Sequence, residues 1–324
     1  MTKISTVVAY PTIPIIFLGG INPDRTPLYD TMGLAVTNKD ETTRTETTVK
    51  FENYHETKIQ FHLDGQALIG LRGKQIIDSI KLLLKTNNLK GKVSINSNNY
   101  NIFSGSSDSG LAALFTALND VFGLNYSKDQ ILEYSMKGSE SAGRSLYGGL
   151  TLTKANEKSV KVVQLASEEK LSGISFFSIP FHYKSRISAD EIHAGIIKNP
   201  AFSERVKQIP IWVTRIKDAL KKDDFNDLLK TAEENIQNAH ELLEGVRIKV
   251  RKPEMLKLCE QVKQMRQEGI NAYYLIGGGN LVTIGTTSNC ANQVSRNLTK
   301  NQWNYYEFKV ASAPKIIKSQ TLKE

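Results

Sequence analysis

The sequence predicts an α+β fold in two lobes that meet near residue 180. Three observations carry this reading. The first hundred residues alternate as strands broken by turns, with one helical interruption. Residues 188–245 are charge-rich, hold few Gly or Pro, and read as three or more helices. Strand patterns then return over residues 271–285 and 304–310. Of the 324 residues, 40% are hydrophobic and 23% charged, enough apolar surface to build a core and too much for a disordered chain. No repeat of fixed period and no low-complexity segment interrupts the chain.

Each element has a local reason. Residues 43–51, TRTETTVKF, are rich in Thr and β-branched side chains and predict a strand. Residues 57–63, TKIQFHL, alternate and end at Asp64-Gly65, a hairpin signal. Over 73–86, Ile76, Ile77, Ile80, Leu83 and Leu84 recur at helical spacing. A short strand, 92–96, follows. Residues 104–110, SGSSDSG, read as a small-residue loop ahead of a helix over 111–122, whose Leu111, Leu114, Phe115, Leu118 and Val121 form a buried stripe. Ser127 and Gln130 make a capping box for a helix over 128–137. Residues 150–154 and 159–165 alternate as a hairpin, and GISFFSIPF, 173–181, suits a buried strand. NAYYLIGGGNLVTIG, 271–285, reads strand, glycine turn, strand, with Tyr273 and Tyr274 packed in the sheet.

Composition removes several function classes. Cys259 and Cys290 cannot form a disulfide framework or zinc cluster, and the five His show no metal-ligand spacing. No apolar run approaches the ~18 residues of a membrane span. The N-terminal apolar stretch is broken by Pro11 and Pro14 and lacks a basic start, so it reads as mature protein, and the chain is expected in the cytoplasm, away from any membrane. The net charge of +9 suits an anionic partner. Its basic residues are mostly spread, and the densest run, Arg247, Lys249, Arg251 and Lys252, carries no aromatic side chain. That pattern fits a solvated surface and a small anionic substrate, and no nucleic acid is expected.

Three segments can carry chemistry. In Ser104-Gly105-Ser106-Ser107-Asp108, small residues let backbone approach an anion, and the helix start beyond offers free N–H groups and a positive dipole end. No Gly-Lys-Ser/Thr follows, so this is not a Walker loop, and the same composition suits an ordinary capped helix. In the second, Gly138–Gly149, Glu140 and Arg144 stand four apart, a spacing that can share a helix face. The third is Gly277-Gly278-Gly279, a sharp turn or a close approach to another segment or a ligand. His193, in ADEIHAG, reads as a helix surface residue without a chemical role.

Together these segments resemble the GHMP kinase superfamily, and within it the diphosphomevalonate decarboxylase branch. SGSSDSGLAAL is similar to the branch's serine-bearing phosphate loop, and SESAGRSLYGGL to its arginine signature for a substrate carboxylate. AYPTI, LGGI, RTPL, FSGSSD and SESAGRSL together resemble the archaeal mevalonate 3-kinases of that branch. Two departures from the decarboxylases matter. Phe17 stands where they carry a lysine, and Ile276 where they carry an aspartate before the glycine turn. Neither side chain can take a proton or bind an anion.

The resemblance implies a two-lobed GHMP kinase fold. Residues 1–180 would form an N-terminal lobe with the phosphate loop and the arginine signature, and residues 181–324 a second lobe completing the cleft. It implies ATP and Mg²⁺, (R)-mevalonate as acceptor, transfer to the 3-hydroxyl without decarboxylation, a route to isoprenoids, and a homodimer. Ser104, Gly105, Ser106, Ser107 and Asp108 would hold the ATP phosphates. Leu18, Gly19, Ser104, Glu140 and Arg144 would border mevalonate, with Lys184 or Arg186 as a second cation. Phe17 and Ile276 would be apolar walls. No catalytic base and no protein metal ligand is assigned. The competing readings are a decarboxylase of phosphorylated mevalonates, a sensor built on a decayed kinase, and, from charge alone, a nucleic-acid binder.

Overall fold

Threonine, valine and isoleucine dominate the first strands: β1 (Thr2–Ala9), β2 (Thr12–Ile16), β3 (Thr31–Asn38) and β4 (Arg44–Asn53). Such side chains suit a pleated, half-buried surface. The chain continues through β5 (Lys58–Leu63), β6 (Gln66–Ala67), α1 (Gly70–Thr86), β7 (Gly91–Tyr100) and α2 (Ser106–Phe122). Then come α3 (Lys128–Ser135), α4 (Ala142–Tyr147), β8 (Leu150–Lys154), β9 (Lys161–Ala166) and β10 (Ile174–Pro180). Helices α5 (Ala189–Ile196), α6 (Phe202–Lys221), α7 (Phe225–Gly245) and α8 (Pro253–Gln267) precede β11 (Ala272–Ile276) and β12 (Leu281–Thr287). The chain closes with α9 (Ser288–Lys300), β13 (Tyr306–Val310) and β14 (Lys315–Leu322). The computed structural model describes residues 2–155, 160–184 and 187–322.

Two sheets organise these elements. The first has the order β14-β1-β4-β7-β5-β6, with β5 and β7 parallel and the other pairs antiparallel. The second runs β11-β12-β10-β13-β3-β8-β9, with β2 also on β3. The strands do not divide at residue 180. β14 returns to the first sheet, and β13 bridges β10 and β3. One core lies between the first sheet and α1–α4, and the larger lies between the second sheet and the later helices. Among the described residues, no helix is long and apolar enough to cross a membrane.

Local chemistry sets several element boundaries. Asp64 and Gly65 both take positive φ, 50° and 76°, as a tight hairpin between right-twisted strands requires. The α3 capping box forms as expected, with the Gln130 N–H donating to Ser127 Oγ and the Ser127 N–H to Gln130 Oε1. α2 starts at Ser106, five residues ahead of the predicted stripe, so Ser106, Ser107 and Asp108 belong to its first turn rather than a loop. Gly105 sets that start. Its φ of 75° suits glycine, and a methyl group there would lie 2.6 Å from the Thr12 backbone N and O.

Arg205 of α6 ties the second core to the segment after β2. It is 1% exposed. Its guanidinium donates to the Tyr29 hydroxyl (3.1 Å), the Phe17 carbonyl (3.3 Å), the Asn235 carbonyl (3.0 Å) and the Asn238 side-chain oxygen (2.8 Å). Asn235 Oδ1 accepts from Arg205 and also from the Phe17 N–H at 2.8 Å. Removing the guanidinium strands several buried acceptors. Arg205→Leu is therefore expected to lower the thermal midpoint by roughly 5 °C or more, read by circular dichroism. An unchanged midpoint would mean that the clamp contributes little.

Candidate active site

A cleft of about 120 Å³ opens where the start of α2, the 139–144 segment, α5 and the 277–279 turn converge. Ser104, Gly105, Ser107 and Asp108 line one side, and Pro14, Phe17, Leu18 and Ile192 give it apolar surface. The seventeen-residue α2 directs its N-terminal N–H groups and positive dipole end at this place. The glycine turn closes in tightly. A methyl group on Gly279 would sit 2.9 Å from Ser104 Oγ, and one on Gly278 would sit 2.6 Å from the Ile192 side chain. Three glycines in the strand pattern thus mark close packing of backbone against the cleft.

Arg144 lies on α4, which Ser145 anchors by donating to the Tyr10 carbonyl at 2.8 Å. The residue is 6% exposed, and its Nε and Nη2 have no hydrogen-bond partner. Burial lowers its pKa, and the nearby charges of Asp108 and Glu140 oppose that shift. An arginine keeps its charge regardless, so the cleft holds a cation with free planar donors. Gly33 on β3 makes room for it, since a methyl group there would lie 2.2 Å from Arg144 Cδ and 2.6 Å from Nε.

Glu140 precedes α4 and does not share a helix face with Arg144, contrary to the spacing argument. Asp108 draws the flanking residues into a cap-like turn, accepting from Ser139 Oγ (3.1 Å) and Ser141 Oγ (2.5 Å). The other Asp108 oxygen accepts from Thr12 Oγ1, so one buried carboxylate joins α2, the start of β2 and the 139–141 segment. Burial raises the Asp108 pKa, against the lowering effects of Arg144 and the Ser141 and Thr12 hydroxyls. Glu140 instead pairs with Arg25, whose Nη2 reaches Oε2 at 2.5 Å, and with His193, whose Nε2 lies 3.0 Å from Oε1. Arg72 approaches Oε2 at 3.8 Å. Burial opposes ionisation of Glu140, but the hydrogen bonds from His193 and Arg25 and the Arg25 charge outweigh it and hold the carboxyl well below the usual range.

The expected residues are distributed as follows. Leu18, Ser104, Gly105, Ser107, Asp108, Glu140, Arg144 and Phe17 line the cleft. Ser106 does not; its carbonyl accepts from Ser109 within α2. Gly19 is packed against the Tyr29 hydroxyl and Ile196 rather than bordering the cavity. Ile276 is no wall either: it is fully buried in the second core, and the turn after it lines the cleft. Lys184 is exposed and lines a neighbouring hollow with Phe103, His182 and Asn280, and it is not among the residues that line the cleft. Arg186 lies outside the described residues. His193 is buried, not a surface residue, because α5 turns its Ile192, His193 and Ile196 side inward. Arg25 and Thr12 also escaped the sequence reading. Arg25 sits in RTPL, where a lone arginine in a turn gives no signal of a partner 115 residues away.

Among the described residues, no three His, Cys, Asp or Glu side chains group as a metal site. The lining offers the Ser104 and Ser107 hydroxyls, oxygen donors of the kind a divalent cation takes alongside phosphate oxygens.

Residues 9–163 match the family of diphosphomevalonate decarboxylase-like N-terminal domains, and the fold is the two-lobed α+β fold of GHMP kinases. Residues 187–292 match the C-terminal domain of mevalonate-3-kinases. The chain is 31% identical over 318 residues to the mevalonate-3-kinase of Picrophilus torridus, covering 95% of this chain and 96% of that one. It is 32% identical over 277 residues to the Thermoplasma acidophilum mevalonate 3-kinase, covering 84% and 85%. The crystal structure of the Thermoplasma acidophilum enzyme with mevalonate 3-phosphate and ADP bound superposes with a TM-score of 0.87 at 25% identity, over 99% of this chain and 100% of that one. The chain belongs to the mevalonate-3-kinase family.

Two outcomes follow from this geometry. Gly33→Ala keeps a strand backbone but pushes on the Arg144 stem. Steady-state kinetics should show a KM raised about tenfold or more for a substrate that Arg144 holds, with the fold retained. A wild-type KM would show that Arg144 can shift at no cost. Glu140→Gln removes an ionisation whose stabilisation is full above the ordinary carboxyl pKa of 4.5 and fades as pH falls toward the depressed folded value. The variant should be less stable by about 3 kcal/mol at pH 7, with the gap to wild type shrinking below about pH 4.5 in pH-resolved melts. A gap that stays constant with pH would contradict the pairing.

Proposed function

We propose that this chain transfers the γ-phosphoryl group of ATP to the tertiary 3-hydroxyl of (R)-mevalonate, giving ADP and mevalonate 3-phosphate with the carboxylate retained. The observation that carries the reading is the buried Arg144, with two unpartnered nitrogens, facing the same cleft as the start of α2. A planar carboxylate matches that fork in a way no lysine could copy.

Residues 1–180 supply the phosphate-binding helix start and Arg144, and residues 181–324 close the cleft through α5 and the glycine turn. The N–H groups at the start of α2, with Ser104 and Ser107, bind the ATP phosphates. The Ser104 and Ser107 hydroxyls would face a magnesium ion carried with the nucleotide, which would supply neutralisation of phosphate charge. Pro14, Leu18 and Ile192 accommodate the methyl group and carbon chain of mevalonate. Glu140 accepts a hydrogen bond from the 3-hydroxyl and orients its lone pair toward the γ-phosphorus. Its carboxyl is held too acidic to be an effective base, so it positions the nucleophile. The C3 oxygen bonds to phosphorus, the bond to the ADP oxygen breaks, and the hydroxyl proton leaves to phosphate or solvent. A loose transition state needs positioning and charge neutralisation above all.

The cleft's charge opposes the decarboxylase reading. Its described lining has one arginine and one histidine against two carboxylates, Asp108 and Glu140. A 5-phosphate would add anionic charge without a further lysine or arginine among those residues to receive it. Phe17 on the cleft wall likewise provides neither a cation nor a carboxylate. Incubation with ATP, Mg²⁺ and (R)-mevalonate, followed by ³¹P NMR and CO₂ trapping, should give a tertiary phosphate monoester and no CO₂. CO₂ release from mevalonate 5-diphosphate would overturn the assignment. Arg144→Ala should raise the mevalonate KM about 100-fold while changing the KM for ATP little.

A further inference from the structure

We propose that His193 is a positioning residue for the phosphoryl transfer, acting through Glu140. This rests on the reading of Glu140 given above. His193 is 5% exposed and comes from α5, far in sequence from the residue it touches. An ionised carboxylate only accepts, so Nε2 carries the proton and donates to Oε1. Arg25 donates to the other oxygen from the opposite part of the chain. Each Glu140 oxygen is therefore held by a different element, and rotating the carboxylate would break both contacts. An oxygen that accepts one bond keeps a second lone-pair site. Glu140 and His193 both line the cleft, so this fixed carboxylate is available to a substrate hydroxyl.

A packing role does not account for the residue. Its Nδ1 is buried without a partner, which carries a desolvation cost. The α5 neighbours Ile192 and Ile196 fill their places without such a cost. What distinguishes His193 from a leucine here is the Nε2–H donated to Glu140.

The test compares wild type, His193→Phe, His193→Gln, Glu140→Gln and the two double variants, with kinetics on ATP and mevalonate beside thermal melts. His193→Phe should lower kcat roughly 10- to 100-fold with little change in the KM for ATP. His193→Gln keeps an N–H donor and should recover part of that loss. In the Glu140→Gln background, neither substitution at 193 should lower kcat further. Wild-type kinetics for His193→Phe, or multiplicative losses in the double variants, would overturn the proposal. Wild-type kinetics for Glu140→Gln would instead remove the role of Glu140 itself. Should His193→Phe fail to fold, His193→Gln alone and with Glu140→Gln decides: additive losses overturn the proposal, and non-additive losses support it.

Discussion

The cleft is organised around a charge held in the interior without an ion pair among the described residues, the guanidinium of Arg144. Burying such a group is expensive, and the cost is only partly offset by Asp108 and Glu140, which lower its energy through space. Neither acid closes a salt bridge with it. Asp108 is occupied by three hydroxyl donors and Glu140 by Arg25 and His193. The result is a cation whose donors are preorganised and unspent. Binding an anionic substrate group then recovers energy that folding left unused, at little reorganisation cost.

This arrangement requires that several segments leave one another space. Gly33 exists in β3 as the slot for the Arg144 stem, and Gly105 lets α2 begin against the Thr12 backbone. The three-glycine turn brings backbone, not side chains, up to Ser104. Behind the apolar wall, Arg205 and Asn235 hold the Phe17 peptide from both its N–H and its carbonyl. Rigid backbone on three sides and a fixed carboxylate on the fourth suit a reaction that depends on orientation more than on proton transfer.

Much of this was legible from sequence where the signal is local. The stripe of Leu111, Leu114, Phe115, Leu118 and Val121, the Ser127–Gln130 box and the Asp64-Gly65 turn each act within a few residues, and each appears as expected. The serine segment and Arg144 were also readable as candidates, and Ser104, Gly105, Ser107, Asp108 and Arg144 line one cleft. What escaped depends on distance. Arg25 and His193 meet Glu140 across 115 and 53 residues, and an isolated arginine or histidine carries no mark of such a partner. Ile276 and Gly19 were misplaced because sequence adjacency to a cleft does not say which way a side chain or peptide points. β14 gave no signal because all its residues are exposed, and only pairing with β1 makes it a strand.

The most direct test of the unspent charge is calorimetry of mevalonate against its neutral carboxamide, with the nucleotide site filled by a non-hydrolysable ATP analogue. If Arg144 awaits a carboxylate, the acid should bind at least ~30-fold more tightly than the amide. Equal affinities would mean that the guanidinium contributes nothing to recognition, and the account of the cleft would have to be abandoned.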